Sequence, residues 1–352
     1  MSISELMGQD RFPEGTGSSG HTLWVRIQLS RNIAGYSFPH RAEIKAKTEV
    51  LQEIRNAVAH WNAKTSERFS EFSVASFSLN ERELLKSKRL LPDALSGGCE
   101  QTALFINEKQ NGSLLVNGQD HLRIQYMTGS PVPGKLWEKA ESLENQLGRD
   151  LTYAFDHEFG FLTASPYLTG TGLRYSAALF LPGLVKSGAI SGMAENAARQ
   201  GFSLRSLYGG SDRLGSFCEL SNTVTLGVSE AVLTERMEQL LSDIEEAENM
   251  AWQKVFRKDE GKLKDQIWRA LGTLKYARII SREEAVACAG LLHIGIMKNL
   301  FPARDPLLFP KLILTAGSAC VREMTHKETM EEPETEVWRA VLLRNLITEA
   351  GL

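Results

Sequence analysis

LLVNGQDHLRIQYM, residues 114–127, places two runs of β-branched or alternating apolar residues on either side of Asn117-Gly118. Such runs predict strands, and an Asn-Gly pair between them favours a tight turn. FCELSNTVTLG, residues 217–227, predicts another strand, whereas residues 51–61 and 134–147 carry apolar side chains at helical spacing. The first part of the chain is therefore predicted to be a mixed, largely antiparallel sheet with packed helices, which is an α+β fold.

Another segment, GTGLRYSAALFLPGLVKSG at 170–188, begins with glycines and continues with mainly apolar residues. We predict a glycine-rich turn followed by an apolar helix, with Arg174 in its first turn. Backbone N–H groups at a helix start favour an anion. A buried helix that begins with glycine and binds nothing is the alternative.

From Ser229 onward the pattern becomes almost wholly helical. Residues 229–255 predict a long amphipathic helix, and 265–277, 282–300, 306–315 and 334–348 predict shorter ones. The chain is therefore divided into a catalytic-type domain at 1–228 and a helical C-terminal domain at 229–352.

Composition excludes several classes of function. A net charge of -3 over 352 residues provides no basic field for nucleic acid, and the apolar stretches are too short to span a bilayer. The N-terminus MSISELMGQD is polar and acidic, unlike a secretory signal. The four cysteines show no CxxC or zinc spacing with histidine, which predicts reduced thiols, no structural metal and a cytoplasmic location.

Four arginines lie in apolar, glycine-rich or strand-like settings: Arg26, Arg123, Arg174 and Arg205. Arginine beside buried apolar surface is unfavourable unless an anion meets it, and its planar fork of donors suits phosphate oxygens. The pattern therefore predicts a polyphosphate cradle made of side chains. Four separate salt bridges are the alternative explanation.

Five stretches together resemble the ATP:guanidino phosphotransferase family, and most closely its bacterial protein-arginine kinases. They are VRIQLSRN (25–32), VNGQDHLRIQ (116–125), FLTASPYLTGTGLRYS (161–176), LRSLYGGSDRLGSFCELSN (204–222) and WRAVLLR (338–344). The resemblance implies a guanidino-kinase catalytic domain that binds ATP or ADP with Mg²⁺. It also implies a metal held by phosphates and water, a protein substrate or regulatory partner, and a homodimer formed through the C-terminal domain.

The resemblance assigns the phosphate contacts to the same four arginines, Arg26, Arg123, Arg174 and Arg205. It places Arg89 and Ser176 among the nucleotide-contact positions as well. Gln28 stands where the family has another arginine, and its side chain should share a strand face with that of Arg26. The lost charge-assisted contact would weaken nucleotide binding by roughly 1–3 kcal/mol.

The positions that face the phosphate acceptor depart further from the family. Its motif Asn-Glu-Glu-Asp-His reads here with Gln119 at the catalytic glutamate, and Ser-Cys-Pro reads with Ser165 at the reactive cysteine. Its second glutamate, in Tyr-Gly-Glu-Gly-Ser, is missing at Gly210, where the loop is one residue shorter. A guanidinium must lose a proton as it takes up the phosphoryl group, and neither glutamine nor glycine accepts one.

The phosphate-binding arginines are mostly retained, whereas the acceptor-facing residues are replaced. Three interpretations follow from this contrast. The chain is a nucleotide-binding homologue with impaired or altered transfer, an active kinase with a relocated base, or an interaction domain with a vestigial site. Asp120, Asp212 and Glu219 are the nearby carboxylates for a relocated base. Asp120 is expected to point away from Gln119, and the other two are expected to be surface or capping acids.

The last helix and His121 carry two further candidate sites. Protein-arginine kinases carry a phosphoarginine-binding Arg-Asp pair before an Arg-Ala, but here Thr335-Glu336 precedes Arg339-Ala340. Phosphoarginine is therefore not expected to bind there, and Arg339 is either an exposed helix charge or an ion-pair partner. His121 either takes part in acid–base chemistry or forms local hydrogen bonds, and the second is favoured because the sequence ties no nucleophile to it.

Overall fold

The computed structural model describes residues 6, 20–93, 95, 100–129, 132–207, 216–302, 305 and 307–352. The strands of these residues are β1 Thr22–Arg31, β2 Phe69–Ser73, β3 Ala103–Asn107, β4 Gly112–Val116, β5 Leu122–Thr128, β6 Phe155–Asp156, β7 Gly160–Phe161, β8 Leu173–Phe180, β9 Phe202–Ser206 and β10 Phe217–Asn222. Eight of them form one sheet in the order β2-β3-β4-β5-β1-β8-β10-β9, and β6 pairs with β7 separately. Every neighbouring pair in the large sheet is antiparallel.

Helices flank this sheet and form the C-terminal region. They are α1 Ile44–Lys64, α2 Leu79–Ser87, α3 Gly134–Leu147, α4 Pro182–Lys186, α5 Ile190–Arg199, α6 Glu230–Tyr276, α7 Arg282–Met297, α8 Leu308–Thr315, α9 Ser318–Met324 and α10 Glu332–Glu349. The α+β prediction is confirmed, as are the hairpin β4–β5 and the strand β10. At the hairpin turn Asn117 has φ of 54°, and its N–H donates to the carbonyl of His121 at 3.0 Å.

One predicted element is wrong. The segment after Gly172 forms the strand β8, so Arg174 does not lie in the first turn of a helix. Leu173, Tyr175, Ala177 and Leu179 face one side of the sheet and are fully buried there, whereas the intervening residues face the other side. The continuous apolar run reflects burial on both faces, because the last residues of β8 pack against the C-terminal helices.

The two faces of the sheet differ in chemistry. One face packs against α1, α3 and the first half of α6 through a large apolar core that includes Ile27, Ile124 and Leu220. The other face is apolar only at its two ends. Phe180 and Phe217 join the core of the C-terminal helices, and Leu104 and Leu115 join a small cluster with α2. Between these two ends the second face is polar.

The long helix α6 connects both parts of the chain. Its first half contributes Leu233, Met237 and Ile244 to the core of the sheet, and its second half contributes Leu263 and Ile267 to the C-terminal core. A non-helical residue at Asp259 (φ -134°, ψ 35°) separates the two halves. The division at residues 228 and 229 stays a prediction. Among the described residues, no helix combines the length and apolar character that crossing a membrane requires.

Candidate active site

Strand register gathers the predicted cradle on the polar face. Arg26 of β1 lies opposite Ser176 of β8, and Gln28 lies opposite Arg174. Residues directly opposite each other in antiparallel strands project to the same side. Arg123 lies opposite Ser30, two residues beyond Gln28 on β1. The sheet therefore aligns these side chains as neighbours, although they are up to 150 residues apart in the chain.

Arg205 lies at the edge of the same face. It belongs to the edge strand β9, is exposed, and stands opposite Glu219 of β10. Glu219 also lies 3.7 Å from the Nη2 atom of Arg26, with 31% of its side chain exposed. The expectation that Glu219 is a surface or capping acid is therefore wrong, because it pairs with the arginine face.

Few anions offset the charge of these arginines. Within the described residues, Glu219 is the single carboxylate within 4.0 Å of any of the four, so the alternative of four separate salt bridges does not hold there. Arg26 otherwise donates to the Ser176 hydroxyl at 3.2 Å, and Arg174 donates to that of Ser221 at 3.5 Å. Arg123 donates to the carbonyl of Leu90 at 3.3 Å.

The electrostatics of the face favour an anionic ligand. Burial, together with repulsion from Arg123, lowers the pKa of Arg26 to about 9 against the attraction of Glu219. Burial likewise lowers the pKa of Arg123 to about 10, opposed by the charge of Asp120. The Nε atoms of both arginines are buried without a hydrogen-bond partner among the described residues. Their charged forms are therefore poorly solvated until an anion arrives.

Arg89 joins the group from the turn after α2. Its backbone has φ of 61°, a left-handed conformation that is uncommon for a residue with a side chain. The carbonyl of Arg89 accepts from Gln125 at 2.8 Å, and Gln125 in turn accepts from Gln28 at 2.9 Å. Arg89 and Arg26 both approach the ring of Trp24, at 5.9 and 5.4 Å from its centroid. The sequence reading missed Trp24 and Gln125, although each lies two residues from a predicted site residue and on the same strand.

A cavity of about 340 Å³ lies at one end of the polar face, and we call it the strand-end cavity. It is lined by Gln28, Ser30, Pro92, Leu115, Gly118, Gln119, Asp120, Arg123, Ser165, Tyr167, Leu168 and Arg174. Two cradle arginines thus share one cavity with Gln119 and Ser165, the positions at which the resemblance places acceptor-facing groups. Gly210, together with Asp212, lies outside the described residues.

Asp120 does not point away from this cavity, and that expectation is wrong. Residues 117–121 form the turn before β5, where the strict alternation of a strand does not apply. The Oδ1 atom of Asp120 accepts from the side-chain amide of Asn32 and from the backbone N–H of Ala164, both at 2.7 Å. Asp120 is 4% exposed and lines the cavity beside Gln119. Asn32, two residues beyond Ser30, is therefore a positioning residue that the sequence reading did not identify.

His121 forms local hydrogen bonds, which is the alternative that the sequence favoured. Its Nδ1 atom accepts from the backbone N–H of Ile33 at 3.0 Å, so Nε2 carries the proton and donates to the carbonyl of Ser37 at 3.1 Å. Burial lowers the pKa of His121. The neutral ring is thus committed to two backbone contacts.

Arg339, in the C-terminal region, is fully buried and is not an exposed helix charge. Its Nε atom donates to the carbonyl of Ala316 at 2.8 Å, and Nη1 donates to that of Ile280 at 3.0 Å. Its Nη2 atom lies 3.1 Å from Glu332, which confirms the alternative of an ion-pair partner. Thr335 is 1% exposed and donates its hydroxyl proton to the carbonyl of its own helix at Glu331. These groups are therefore occupied by contacts within the chain.

The donor set fits a nucleotide polyphosphate better than a metal bound by protein alone. No cluster of three or more His, Cys, Asp or Glu side chains suited to a metal ion occurs in the described part of the chain. The polar face instead offers several guanidinium groups that share a single carboxylate partner within 4.0 Å among the described residues, and guanidinium groups match phosphate oxygens. A divalent cation brought by a nucleotide would be held mainly by phosphate oxygens and water.

Comparisons with known proteins match two family models to successive parts of the chain. A model of the ATP:guanido phosphotransferase C-terminal catalytic domain matches residues 49–251, and a model of the protein-arginine kinase McsB C-terminal domain matches 260–351. A protein-arginine kinase of Clostridium kluyveri is 30% identical over 326 residues, which are 92% of this chain and 94% of that protein. One of Desulforamulus reducens is 28% identical over 349 residues, 98% of each chain.

Solved structures show the same fold at lower identity. The duplicated taurocyamine kinase of Schistosoma mansoni matches with a TM-score of 0.58 and 20% identity, over 71% of this chain and 35% of that one. A lombricine kinase matches with a TM-score of 0.56 and 17% identity, over 69% and 70% of the two chains. The resemblance drawn from the sequence motifs is confirmed, and the chain belongs to the ATP:guanido phosphotransferase family.

Proposed function

We propose that this protein is a protein-arginine-kinase homologue that binds Mg-ATP or Mg-ADP through its arginine face and transfers phosphate to guanidinium poorly or in altered form. The observation that carries the proposal is the set of half-buried, mutually repelling arginines with one carboxylate partner among the described residues. A folded protein retains such a set at a cost in stability, which a polyphosphate would offset.

The binding mode follows from the register of the strands. Arg26, Arg123 and Arg174 would hold the phosphate oxygens, with the Ser176 hydroxyl beside Arg26 and with Arg205 at the exposed edge. Gln28 would donate its amide without charge. Arg89 would approach from the turn after α2. Mg²⁺ would accompany the phosphates and reduce the repulsion among their oxygens.

Impaired transfer follows from the residues at the acceptor-facing positions of the strand-end cavity. Transfer forms a P–N bond to the guanidinium and breaks the bond to the leaving ADP oxygen, and a base takes the proton from nitrogen. Gln119 offers a carbonyl that orients a guanidinium without taking its proton, and the Ser165 hydroxyl has no thiolate charge. Loss of a catalytic base lowers rate by orders of magnitude while binding persists.

An active kinase with a relocated base is the second candidate, and the position of Asp120 favours it. This carboxylate lines the same cavity as Gln119, and the hydrogen bonds from Asn32 and Ala164 engage its Oδ1 atom. The Oδ2 atom is then the proton acceptor to test. The third interpretation, an interaction domain with a vestigial nucleotide site, is favoured by no particular contact.

Partners and location belong to the same proposal. Exposed apolar side chains in the C-terminal region, among them Tyr276, Ile279, Val337 and Trp338, would support a homodimer through that domain. A protein substrate or regulatory partner and a cytoplasmic location complete the proposal.

Calorimetric titration with ATP and Mg²⁺, followed by phosphorus NMR with casein as acceptor, tests these alternatives. Binding without an acid-labile N-phosphate signal supports the first proposal. Binding with such a signal supports the relocated base, and Asp120→Asn should then abolish the signal while ATP still binds. No binding at all removes both kinase readings and leaves the interaction domain. Gln119→Glu should raise any N-phosphate signal, because it restores a proton acceptor.

A further inference from the structure

A carboxylate lies on the polar face among the arginines. Glu219 of β10 stands directly opposite Arg205 of β9 and Ala178 of β8. Its Oε1 atom lies 3.7 Å from the Nη2 atom of Arg26, and 31% of its side chain is exposed. Because β10 lies between β8 and the edge strand β9, Glu219 stands between two of the arginines that would hold phosphate oxygens.

The surroundings of Glu219 leave its carboxylate open to a ligand. At 3.7 Å it attracts Arg26, but the separation is longer than a hydrogen bond. Ser221, two residues along β10, and Ser176 and Ala178 on β8 share its face of the sheet and have small side chains. A polyphosphate that follows the arginines would therefore pass close to this negative charge.

A carboxylate at this place acts in opposite directions on the ligand-free protein and on binding. In the ligand-free protein it offsets repulsion among the arginines, since burial lowers the pKa of Arg26 and the attraction of Glu219 opposes that lowering. Towards an arriving phosphate it is a like charge, and like charges repel each other. The repulsion increases with the negative charge of the ligand, and Mg²⁺ bound to the phosphates neutralises part of that charge.

We propose that Glu219 sets the selectivity of the phosphate site for metal-bound over metal-free polyphosphates. The arginines alone attract the metal-free form more strongly, because it carries more negative charge. Glu219 opposes that preference, because it repels the metal-free form more than the metal-bound form. This inference rests on the proposed nucleotide binding and adds to it the residue that selects the charge of the ligand.

Glu219→Gln tests this inference, because it keeps the shape of the side chain and removes its charge. Calorimetry measures ATP affinity once with Mg²⁺ and once with excess EDTA. We expect the ratio of the Mg-ATP affinity to the metal-free affinity to fall about tenfold from its wild-type value, which is the order of effect of a nearby charge at a protein surface. Both affinities are measured on the same protein, so a partly unfolded sample lowers both alike and leaves the ratio unchanged.

Two control variants separate this effect from net charge and from packing. Glu195→Gln removes the same charge, but Glu195 lies on α5 with 73% of its side chain exposed, and α5 packs through Ala197 on the other face of the sheet. Glu219→Asp keeps the charge with a shorter side chain. Both variants should keep the wild-type ratio to within about twofold, since neither changes the charge on the polar face.

An unchanged ratio in Glu219→Gln would overturn the inference and leave the proposed phosphate site standing. Equal loss of both affinities would also overturn it, because Glu219 would then only hold Arg26 in place. The same fall of the ratio in Glu219→Asp would attribute the effect to packing and contradict the inference. Wild-type protein that binds ATP neither with Mg²⁺ nor with EDTA removes the proposed function and this inference with it.

Inorganic tripolyphosphate provides a second test, because it presents the phosphate chain alone. Its affinity ratio with and without Mg²⁺ should respond to Glu219→Gln in the same direction as that of ATP. A response with ATP but none with tripolyphosphate would show that Glu219 acts on another part of the nucleotide, and would overturn the inference.

Discussion

The arginine of the last helix is fully buried, whereas Arg26, Arg123 and Arg174 of the sheet face are half-buried, and the two sets differ in their partners. Arg339 donates to two backbone carbonyls and pairs with Glu332. Arg123 is left with one carbonyl, and its Nε atom has no hydrogen-bond partner among the described residues. The first arginine is fully engaged by the chain, whereas the second has donors to spare for a ligand.

This difference separates stability from binding. A buried charge whose hydrogen bonds are satisfied holds segments together, and its removal leaves acceptors unpaired. A buried charge without partners destabilises the ligand-free protein, and its removal relieves that strain while abolishing a ligand contact. Arg339 should therefore report on folding, and Arg26, Arg123 and Arg174 should report on nucleotide.

The largest expected effect is on stability, at Arg339. Arg339→Ala removes the donors to Ala316 and Ile280 and leaves a cavity, so we expect the free energy of unfolding to fall by about 3–5 kcal/mol. Urea unfolding followed by circular dichroism measures it. ATP affinity, measured where the variant is still folded, should be close to that of the wild type. A loss below about 1 kcal/mol would show that the chain does not depend on these contacts.

Next in size is the effect of Arg174→Ala on nucleotide binding. Loss of a charge-assisted contact should weaken ATP binding by about 2 kcal/mol or more, which is at least about thirtyfold. Arg199→Ala is the control, since Arg199 lies on the exposed face of α5 with 79% of its side chain exposed. Unchanged ATP affinity in the Arg174 variant, with no difference from the control, would remove the cradle argument.

A smaller effect of opposite sign is expected for the stability of Arg123→Met. Methionine keeps much of the volume and removes a buried charge that repels Arg26. We expect the ligand-free protein to gain about 1 kcal/mol in the free energy of unfolding, while ATP affinity falls. Thermal unfolding without and with ATP measures both. A destabilised ligand-free variant would place Arg123 with Arg339 among the structural arginines.

Sequence patterns predicted the phosphate-binding role of the sheet arginines but not the structural role of Arg339. The cradle arginines could be identified because each stands in an apolar or strand-like context, where a charge has no evident partner. Arg339 stands in an ordinary helical pattern, and nothing in that pattern shows that carbonyls from two distant segments converge on it. Whether a buried charge finds hydrogen-bond partners depends on tertiary contacts, and a single sequence does not show those contacts.

The sequence correctly predicted elements that have one apolar face. The prediction failed for an element that is apolar on both faces. The alternation in HLRIQYM identified β5, whereas the run from Ala177 to Leu181 is buried from both sides and was taken for a helix. The predicted direction of the Asp120 side chain was wrong for a different reason. The strand rule was extended into a turn, where Asn32 and Ala164 fix the carboxylate instead.

The smallest expected effect is that of Gln28→Arg on ATP affinity. This variant tests most directly whether the sheet arginines bind the phosphates. Gln28 lies opposite Arg174 and donates to Gln125, so an arginine there adds repulsion and removes a hydrogen bond in the ligand-free protein. A phosphate would recover part of that loss, so we expect ATP affinity to rise by about 0.5–1 kcal/mol, or roughly two- to fivefold. Gln28→Met is the control, because it removes the hydrogen bond without adding charge, and it should not strengthen binding. Equal weakening of ATP binding in both variants would mean that position 28 does not face the phosphates. The repulsion among the arginines in the ligand-free protein would then not indicate where the polyphosphate binds.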